Sequence, residues 1–352
     1  MDKTNNSIFK VLLQSFISIL IAIALGMIII FAVGYNPITA FAELFKGAFG
    51  SKIYIANTIS RAVPLIFTGL SVALSARCGM LNIGGEGQLY LGAMAVAIVG
   101  LYIGELPHAL AIVILIIVAF LGGMLGGALC GFLKIRFGIS EVISAIMLNY
   151  VFKLFTSWLA ADVYPSGESS VQTIKLSKNL NLTTLVKSSN LTTSIILVLI
   201  IVVAIYIFLW KTTLGYKLRT VGFNYSAANA SGINAKLLML LTMSLCGGLA
   251  GLAGGCEVLS NYHRFIEGFS PSYGFTGIAV AILGRNHPFA VILTAMLFAI
   301  LDSGALRMAR VTGVSSSVIA VIKGLIIMLV AAPELIKIFK QKEAKQWKQL
   351  FL

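Results

Sequence analysis

The sequence predicts an all-α fold, a polytopic transmembrane helical bundle of about ten spans with both termini in the cytoplasm. The chain is 59% hydrophobic and only 11% charged, a balance typical of membrane proteins and foreign to soluble domains. Apolar runs such as 11–33, 110–133 and 192–210 are long enough to cross a hydrocarbon core, which takes roughly 20 helical residues.

Glycine, proline and charged residues separate the apolar runs into ten candidate spans. These are 9–33, 62–76, 86–104, 109–133, 140–161, 192–210, 236–256, 272–284, 288–301 and 315–332. The first run is too long for the core of a signal peptide, so we expect it to remain as a helix. Two outside segments, 34–61 and 162–191, are long, but neither resembles an independent domain. We therefore expect one transmembrane domain over residues 1–352.

The basic residues indicate the orientation. With the N-terminus in the cytoplasm, the larger share of Lys and Arg falls in loops on that side, as the positive-inside rule requires. The net charge of +14 then reflects topology, and no nucleic-acid partner is expected. The tail 337–352 mixes Lys with Phe and Trp, which predicts a short cytoplasmic helix on anionic membrane lipid; a partner-binding tail is the alternative.

Motifs of independent catalysis do not occur in the sequence. It has no GxxxxGK[ST] phosphate loop, HExxH metal motif or GxSxG nucleophile motif. Its three histidines are scattered, and its four cysteines lie in or beside apolar runs without CxxC spacing. We predict no catalytic residue, no metal site and no cofactor bound by this chain. Three classes of protein remain: a transporter, a channel, and the membrane subunit of a machine that is powered by another protein.

A glycine-rich interruption, RCGMLNIGGEGQLYLGAM at 77–94, places Glu86 between two apolar runs. Short, glycine-interrupted segments recur at 272–301, and such pairs point to broken helices beside a translocation path. Glu86 is predicted to lie in the first turn of a helix that begins near Gly85, where the helix dipole favours a carboxylate. Two roles remain open for Glu86 and Gln88: contact with solute, or only fastening this helix to its neighbours.

A second polar set lies in GISEVISAIMLNY at 138–150. Ser140 is predicted to cap a helix whose first turn holds Glu141. Asn149 would lie roughly 12 Å deeper, where its amide needs partners from another helix or from a passing polar solute.

The glycine spacing in two other runs predicts close helix packing. Gly123, Gly127 and Gly131 are spaced four apart, as are Gly247, Gly251 and Gly255. Stripes of small residues let helix backbones approach one another in a membrane. They indicate a compact bundle and carry no chemistry of their own.

The longest predicted cytoplasmic loop, 211–235, contains TTLGYKLRTVGFNYSAANASGIN. Asn224 is predicted to cap a short helix over 225–231, Gly232 to follow it in the left-handed conformation, and Asn234 to cap the next span. The small alanine face of this helix would fit a groove in another protein. A helix that lies on the lipid surface is the alternative.

Four stretches together resemble a known family. LNIGGEGQLYLGAM, SEVISAIMLNY, TTLGYKLRTVGFNYSAANASGIN and GFTGIAVAILGRNHP are similar, in order and spacing, to the permease subunits of bacterial ABC importers of the branched-chain amino acid, ribose and simple-sugar class. The nucleoside-uptake branch is the most similar, and the resemblance covers a core of residues 61–333. It implies a ten-helix permease in the bacterial cytoplasmic (inner) membrane.

The resemblance also implies the partners. These are a second permease, expected to be a paralogue, two ATP-binding cassette subunits that hold ATP and Mg²⁺, and an extracytoplasmic solute-binding protein or lipoprotein. Loop 211–235 would be the coupling element that docks on an ATPase subunit. The residues that match the family pattern there are Gly215, Arg219, Gly222, Asn224, Ala228, Gly232 and Asn234.

An uncharged nucleoside requires hydrogen bonds and ring stacking. The residues expected along its path are Asn82, Glu86, Gln88, Asn149, Phe269, Tyr273 and Thr276. One alternative is another small neutral solute, either a simple sugar or a riboflavin-like compound. Another is a proton-coupled secondary transporter in which Glu86 and Glu141 titrate.

Overall fold

The computed structural model describes residues 24–315 and, beyond them, residues 318, 320, 321, 324, 325 and 328. Helices account for most of this part of the chain. They are α1 (24–32), α2 (Pro37–Phe49), α3 (Lys52–Arg77), α4 (Gly85–Tyr102), α5 (His108–Phe137), α6 (Glu141–Trp158), α7 (Ser194–Lys211), α8 (Thr213–Phe223), α9 (Tyr225–Ala230), α10 (Ala235–Glu257), α11 (Tyr273–Leu283) and α12 (Pro288–Thr312). Short π-helical turns extend α6 to Val163 and α10 to Tyr262.

Within the described residues, six helices are long and apolar enough to cross a membrane. They are α3, α5, α6 and α10 with their extensions, α7 and α12. The all-α, membrane-spanning class is therefore confirmed, whereas the number of ten spans and the cytoplasmic termini stay predictions. The predicted span 9–33 is described only from residue 24, most of 315–332 lies outside the described residues, and the tail 337–352 lies wholly outside them.

Two helices are longer than the sequence predicts. Helix α3 begins at Lys52, ten residues before the expected 62, and α12 continues to Thr312 beyond the expected 301. Pro64 lies buried inside α3 without ending it, since neighbouring groups can satisfy the backbone that a proline frees in a membrane helix. The expected short segments at 62–76 and 288–301 are therefore wrong, while the short helix α11 is confirmed.

The chain divides into two compact units. One comprises the residues up to Tyr54 and from Ile300 onward. In it the Arg307 guanidinium donates to the Glu43 carboxylate at 2.7 Å and to the Tyr54 hydroxyl at 3.0 Å. The other unit, Ile55–Ala299, contains the glycine-rich interruption and loop 211–235. A single functional domain over 1–352 stays a prediction.

Helix α10 forms the core of the larger unit and packs on α4 and α5. Gly123 and Gly127 of α5 lie directly against the backbone of Gly247 and Gly251 of α10, and a methyl group at any of these positions would collide with main-chain atoms. The close packing predicted from the glycine stripes is confirmed. Gly92 of α4 also lies directly against the backbone of Gly251, so α4, and with it the polar segment that precedes α4, is held within the bundle.

Candidate functional site

The chain leaves the helical conformation between α3 and α4. We call residues 78–84 the break segment. Helix α4 then begins at Gly85, as predicted, and Glu86 lies in its first turn. Four of its seven residues are buried and Gly79 is exposed. Burial in protein is the condition under which irregular backbone is tolerated at membrane depth.

Two predicted residues hold the break segment together. The buried Asn82 amide donates to the Gln88 side-chain oxygen at 2.8 Å and to the Ser71 hydroxyl at 2.9 Å. The Ser75 hydroxyl accepts from the Asn82 backbone N–H at 3.0 Å. Asn82 and Gln88 are fully buried, and they satisfy one another within the chain.

Asn149 fastens α6 to the same segment. Its side-chain oxygen accepts from the Gly87 N–H at 2.8 Å, and its side-chain nitrogen donates to the Ile83 carbonyl at 3.0 Å. The deep amide predicted to need partners therefore finds them in backbone groups on both sides of the start of α4. Such groups would otherwise be unpaired at a helix beginning.

Glu86 connects the first turn of α4 to the first turn of α11. Its side chain is 2% exposed, and one carboxylate oxygen accepts from the Gly274 N–H at 2.8 Å. Gly274 lies so close to the Glu86 backbone that a β-carbon there would collide with it. The positive ends of two helix dipoles thus converge on one carboxylate, and glycine at 274 allows the approach.

An aromatic cluster lies one turn further along α4. The Tyr90 ring centroid is 4.9 Å from that of Phe269 and 5.9 Å from that of Phe265, and Tyr262 packs on Phe269 at 5.8 Å. The Lys153 ammonium lies 5.2 Å from the centre of the Tyr90 ring. Of these rings, sequence reasoning selected only Phe269, because the others look like ordinary apolar positions.

The remaining predicted path residues lie on α11. The Tyr273 carbonyl accepts from the Thr68 hydroxyl at 3.1 Å, which ties α11 to α3. Thr276 is half-buried one turn further on. Glu257, which sequence reasoning missed, is buried near the end of α10 and accepts from the Asn261 amide at 2.8 Å. A carboxylate directly after the predicted span 236–256 was the signal that could have found it.

The second polar set differs from its prediction in one detail. Ser140 precedes α6, but its side chain makes no capping hydrogen bond. Glu141 instead pairs with Lys134 at 2.8 Å across the α5–α6 connection. Ser140 thus occupies the N-cap position without the expected hydroxyl cap, and an ion pair links the neighbouring helix ends.

Loop 211–235 has the local structure that its sequence predicts. The Asn224 side chain accepts from the Ala227 N–H at 3.0 Å at the start of α9, and the Asn234 side chain accepts from the Leu237 N–H at 3.1 Å at the start of α10. Gly232 lies between them with φ of +77°, in the left-handed region that glycine favours. The short helix ends at Ala230, one residue before the predicted end.

Several matched residues of this loop pack within the chain. Gly222 of α8 lies against the backbone of Arg77 and Gly79, and Gly215 lies against that of Phe208 and Leu209, with no room for a β-carbon at either glycine. Ala228 is fully buried. Its methyl group is therefore directed away from any partner, and the outward face of α9 is formed by its exposed neighbours.

At the other end of the same unit, the connection after α6 pairs with the segment after α10. The Arg264 guanidinium donates to the Glu168 carboxylate at 2.9 Å, and the Gln172 amide donates to its second oxygen. The hydrogen bonds from Arg264 and then Gln172 hold the pKa of Glu168 below its ordinary value. In the part of the chain that the structure describes, no group of three His, Cys, Asp or Glu side chains could hold a metal ion.

Membrane-length helices around a buried break, with two helix beginnings facing each other, are typical of polytopic membrane transport proteins. The chain belongs to the family described as "Branched-chain amino acid transport system / permease component", which matches residues 54–331. It is thus a member of a family of transport-system permease components.

Individual relatives cover nearly the whole chain. It is 34% identical to the nucleoside ABC transporter permease protein NupB of Lactococcus lactis over 96% of this chain and 95% of NupB. It is also 34% identical to the guanosine ABC transporter permease protein NupP of Bacillus subtilis, over 95% of this chain and 97% of NupP. A second Lactococcus lactis protein, the nucleoside ABC transporter permease protein NupC, is 24% identical over 75% of this chain and 85% of NupC.

A solved structure shares the fold. PsaBC from Streptococcus pneumoniae in complex with Fab matches with a TM-score of 0.50 at 15% sequence identity, covering 83% of this chain and 95% of that chain. This likeness concerns the fold alone.

Proposed function

We propose that the chain is the permease subunit of an ATP-driven ABC importer in the bacterial cytoplasmic membrane, and that its solute is a nucleoside. Two relatives that match over nearly their full length are named as permeases for nucleosides and guanosine. The ATP would be hydrolysed by partner subunits, in agreement with the lack of a phosphate-binding loop in this sequence.

The observation that carries the mechanism is the backbone contact between Gly222 of α8 and Arg77–Gly79. It places loop 211–235 directly against the break segment. Because no side chain separates the two backbones, a displacement of α8 would move the break segment with it. ATP-driven movement of a docked partner would thereby displace Glu86 and the start of α4. This displacement would shift the permease between its alternating-access states.

Docking of an ATPase subunit on loop 211–235 is supported by the surface of α8. Phe223 is 86% exposed and Tyr216 is 63% exposed. Both border an open cavity of about 370 Å³ that also reaches Asn224 and Ala227 of α9. Exposed aromatic side chains beside a capped, well-defined helix suit a protein partner. In this proposal Gly215, Gly222 and Ala228 shape the loop from within, while Asn224, Gly232 and Asn234 fix the position of α9.

The proposed solute path follows the aromatic cluster and α11. Phe269 would stack against the nucleobase, with the buried Tyr90 and Phe265 rings packed behind it. Tyr273 and Thr276 would follow on α11. Asn82, Gln88 and Asn149 would form the wall of the path, because they already satisfy one another or the backbone. Glu86 would hold the two helix beginnings together beside it.

A second permease would complete the path, with a solute-binding protein on the extracytoplasmic side. Support comes from Lactococcus lactis, in which NupB and NupC are both similar to this chain. A paralogue is therefore the partner that we propose. Two cytoplasmic subunits that bind ATP and Mg²⁺ would complete the complex.

The substitution Asn224→Pro tests the docking proposal in the assembled complex. The Asn224 N–H donates to the Thr220 carbonyl at 3.1 Å, and its φ is −157°. Proline removes the donor and requires φ near −65°, so the start of α9 cannot persist. We expect solute-stimulated ATP hydrolysis to be lost while membrane insertion continues, and Ser226→Ala on the same helix to behave as wild type. Normal stimulation in Asn224→Pro would refute the docking of α9.

A further inference from the structure

One cavity is lined by the end of a candidate span, by α8 and by the connection that precedes another span. Helix α3 ends at Arg77, α7 ends just after Trp210, and α12 begins at Pro288. The cavity is open on one side and has a volume of about 200 Å³. Its lining includes Arg77, Arg219, Gly222, Arg285 and Asn286. Several cationic side chains thus border a single space at the end of the helical bundle.

Two of these arginines share one aromatic ring. The guanidinium carbons of Arg77 and Arg219 lie 5.2 Å and 5.7 Å from the centre of the Trp210 ring. Cation–π contact stabilises each of them, but it leaves two like charges close together. Among the described residues, no carboxylate forms an ion pair with either arginine.

The two arginines differ in their hydrogen bonds. Arg77 donates to the backbone carbonyls of Asn286 at 3.0 Å and of Arg285 at 3.2 Å, which fixes its guanidinium at the cavity wall. The Nε of Arg219 is buried and has no hydrogen-bond partner in the described part of the chain. A buried donor on a charged group without a partner is costly. An anion in the cavity would reduce the repulsion between the two guanidinium groups that border it.

The rings beside the cavity are of the kind found where membrane spans end. Trp210 stacks on Tyr206 with ring centres 5.3 Å apart, and it lies 5.1 Å from the His287 ring. Phe289 packs on Tyr206 at 4.9 Å and is 42% exposed. Aromatic rings at the ends of membrane spans are typical of the membrane–water interface.

We propose that this cavity binds the phosphate group of an anionic phospholipid. Guanidinium groups match phosphate oxygens in geometry and charge, and basic pockets between spans at the interface are suited to anionic headgroups. The cavity also borders Gly222, so a bound lipid would lie beside the contact between α8 and the break segment. This inference does not depend on the identity of the transported solute. Arg219 and Phe223 also border the cavity assigned above to ATPase docking, so the test includes an ATPase subunit as competitor.

Lipid selectivity of the purified full-length chain tests the proposal. The wild type is placed in nanodiscs that contain equal amounts of phosphatidylcholine and phosphatidylglycerol, and the retained lipids are identified by native mass spectrometry after release. We expect preferential retention of phosphatidylglycerol. Equal retention of both lipids would overturn the proposal, and this measurement needs no variant that might fail to fold.

Substitutions then locate the site. Arg219→Gln should lower phosphatidylglycerol retention roughly fivefold, the effect of one interfacial cation, whereas Arg219→Lys should keep most of it. Lys211→Gln, which removes an exposed charge from the end of α7, should leave retention unchanged. Equal losses in Arg219→Gln and Lys211→Gln would show a diffuse charge effect and contradict a built site.

Competition on the wild type distinguishes the possible sources of the anion. Millimolar inorganic phosphate should not displace the retained phosphatidylglycerol, because a free ion lacks the membrane anchor. Displacement by phosphate would assign the cavity to a soluble anion and overturn the lipid source. Displacement by an added ATPase subunit would show that the cavity instead binds an acidic side chain of that subunit. This result would also overturn the proposal.

Discussion

The Glu86 carboxylate accepts a hydrogen bond of 2.8 Å from the Gly274 N–H, across a sequence separation of 188 residues. One side chain thereby joins the first turns of α4 and α11. The contact gives the buried carboxylate a structural partner. It supports the view that Glu86 holds the two helix beginnings in place beside the proposed path.

Substitutions at Glu86 distinguish the role of its negative charge from its role as a hydrogen-bond acceptor. Glu86→Gln retains an acceptor for the Gly274 N–H, so we expect near-normal assembly and transport. Glu86→Ala leaves that buried N–H unpaired and should lower the free energy of unfolding by about 1–3 kcal/mol. Thermal unfolding in detergent and uptake in proteoliposomes would measure both effects. Loss of transport in a well-folded Glu86→Gln protein would show that the charge itself is required.

Two glycines at the same junction provide a matched pair. A β-carbon at Gly274 would overlap the Glu86 backbone, whereas at Gly85 its nearest neighbour would be 3.7 Å away. We expect Gly274→Ala to lower stability by about 1–3 kcal/mol and Gly85→Ala to be tolerated. Unfolding temperatures of the two variants, purified in parallel, check this. Equal stability would contradict the close approach of α4 and α11.

Asn149 should contribute more to stability than its exposed neighbour. Asn149→Leu removes the partners of the Gly87 N–H and the Ile83 carbonyl, and each unpaired buried group costs about 1–3 kcal/mol. Tyr150→Phe alters a side chain that is 67% exposed and serves as the control. Chemical unfolding should show a lower midpoint for Asn149→Leu alone. A wild-type midpoint would mean that the break segment does not need α6.

The ion pair between Glu168 and Arg264 predicts a pH dependence. Because the pKa of Glu168 is lowered in the folded chain, its stabilising contribution is present above its unfolded value of about 4.3 and is lost as the pH falls through the folded value. Hydrogen exchange at 164–174, corrected for intrinsic rates, should therefore increase below about pH 4. Glu168→Gln should show the faster exchange already at neutral pH. A Glu168→Gln profile identical to wild type would rule out this role.

The local structure of loop 211–235 could be predicted because its determinants are adjacent in sequence. Asn224, Gly232 and Asn234 each act within a few residues, through capping and left-handed backbone conformations. The beginning of α4 was predictable for the same reason, since the glycines around Glu86 disfavour a continuous helix. Apolar length alone predicted the membrane-spanning class.

The contacts between residues that are distant in sequence could not be predicted. Glu86 meets Gly274, and Trp210 meets Arg77, only after distant helices pack. Pro64 misled the prediction for α3, because burial in the bundle lets a proline remain inside a helix. Ser140 was predicted to cap α6 through its hydroxyl, but that hydrogen bond is not formed. The ion pair of its neighbour Glu141 with Lys134 depends on the packing of α5 and α6.

Reconstituted uptake tests the central claim most directly. Proteoliposomes that contain this chain, the paralogous permease and the two ATPase subunits would be supplied with the binding protein and radiolabelled guanosine, with glucose and riboflavin as competitors. We predict ATP-dependent guanosine uptake by the wild-type complex. Gly222→Ala forces α8 away from the Arg77 carbonyl and should strongly reduce this uptake. Lys217→Gln, a control at an exposed position, should retain it. Uptake by this chain alone, driven by a pH gradient without ATP, would contradict the account.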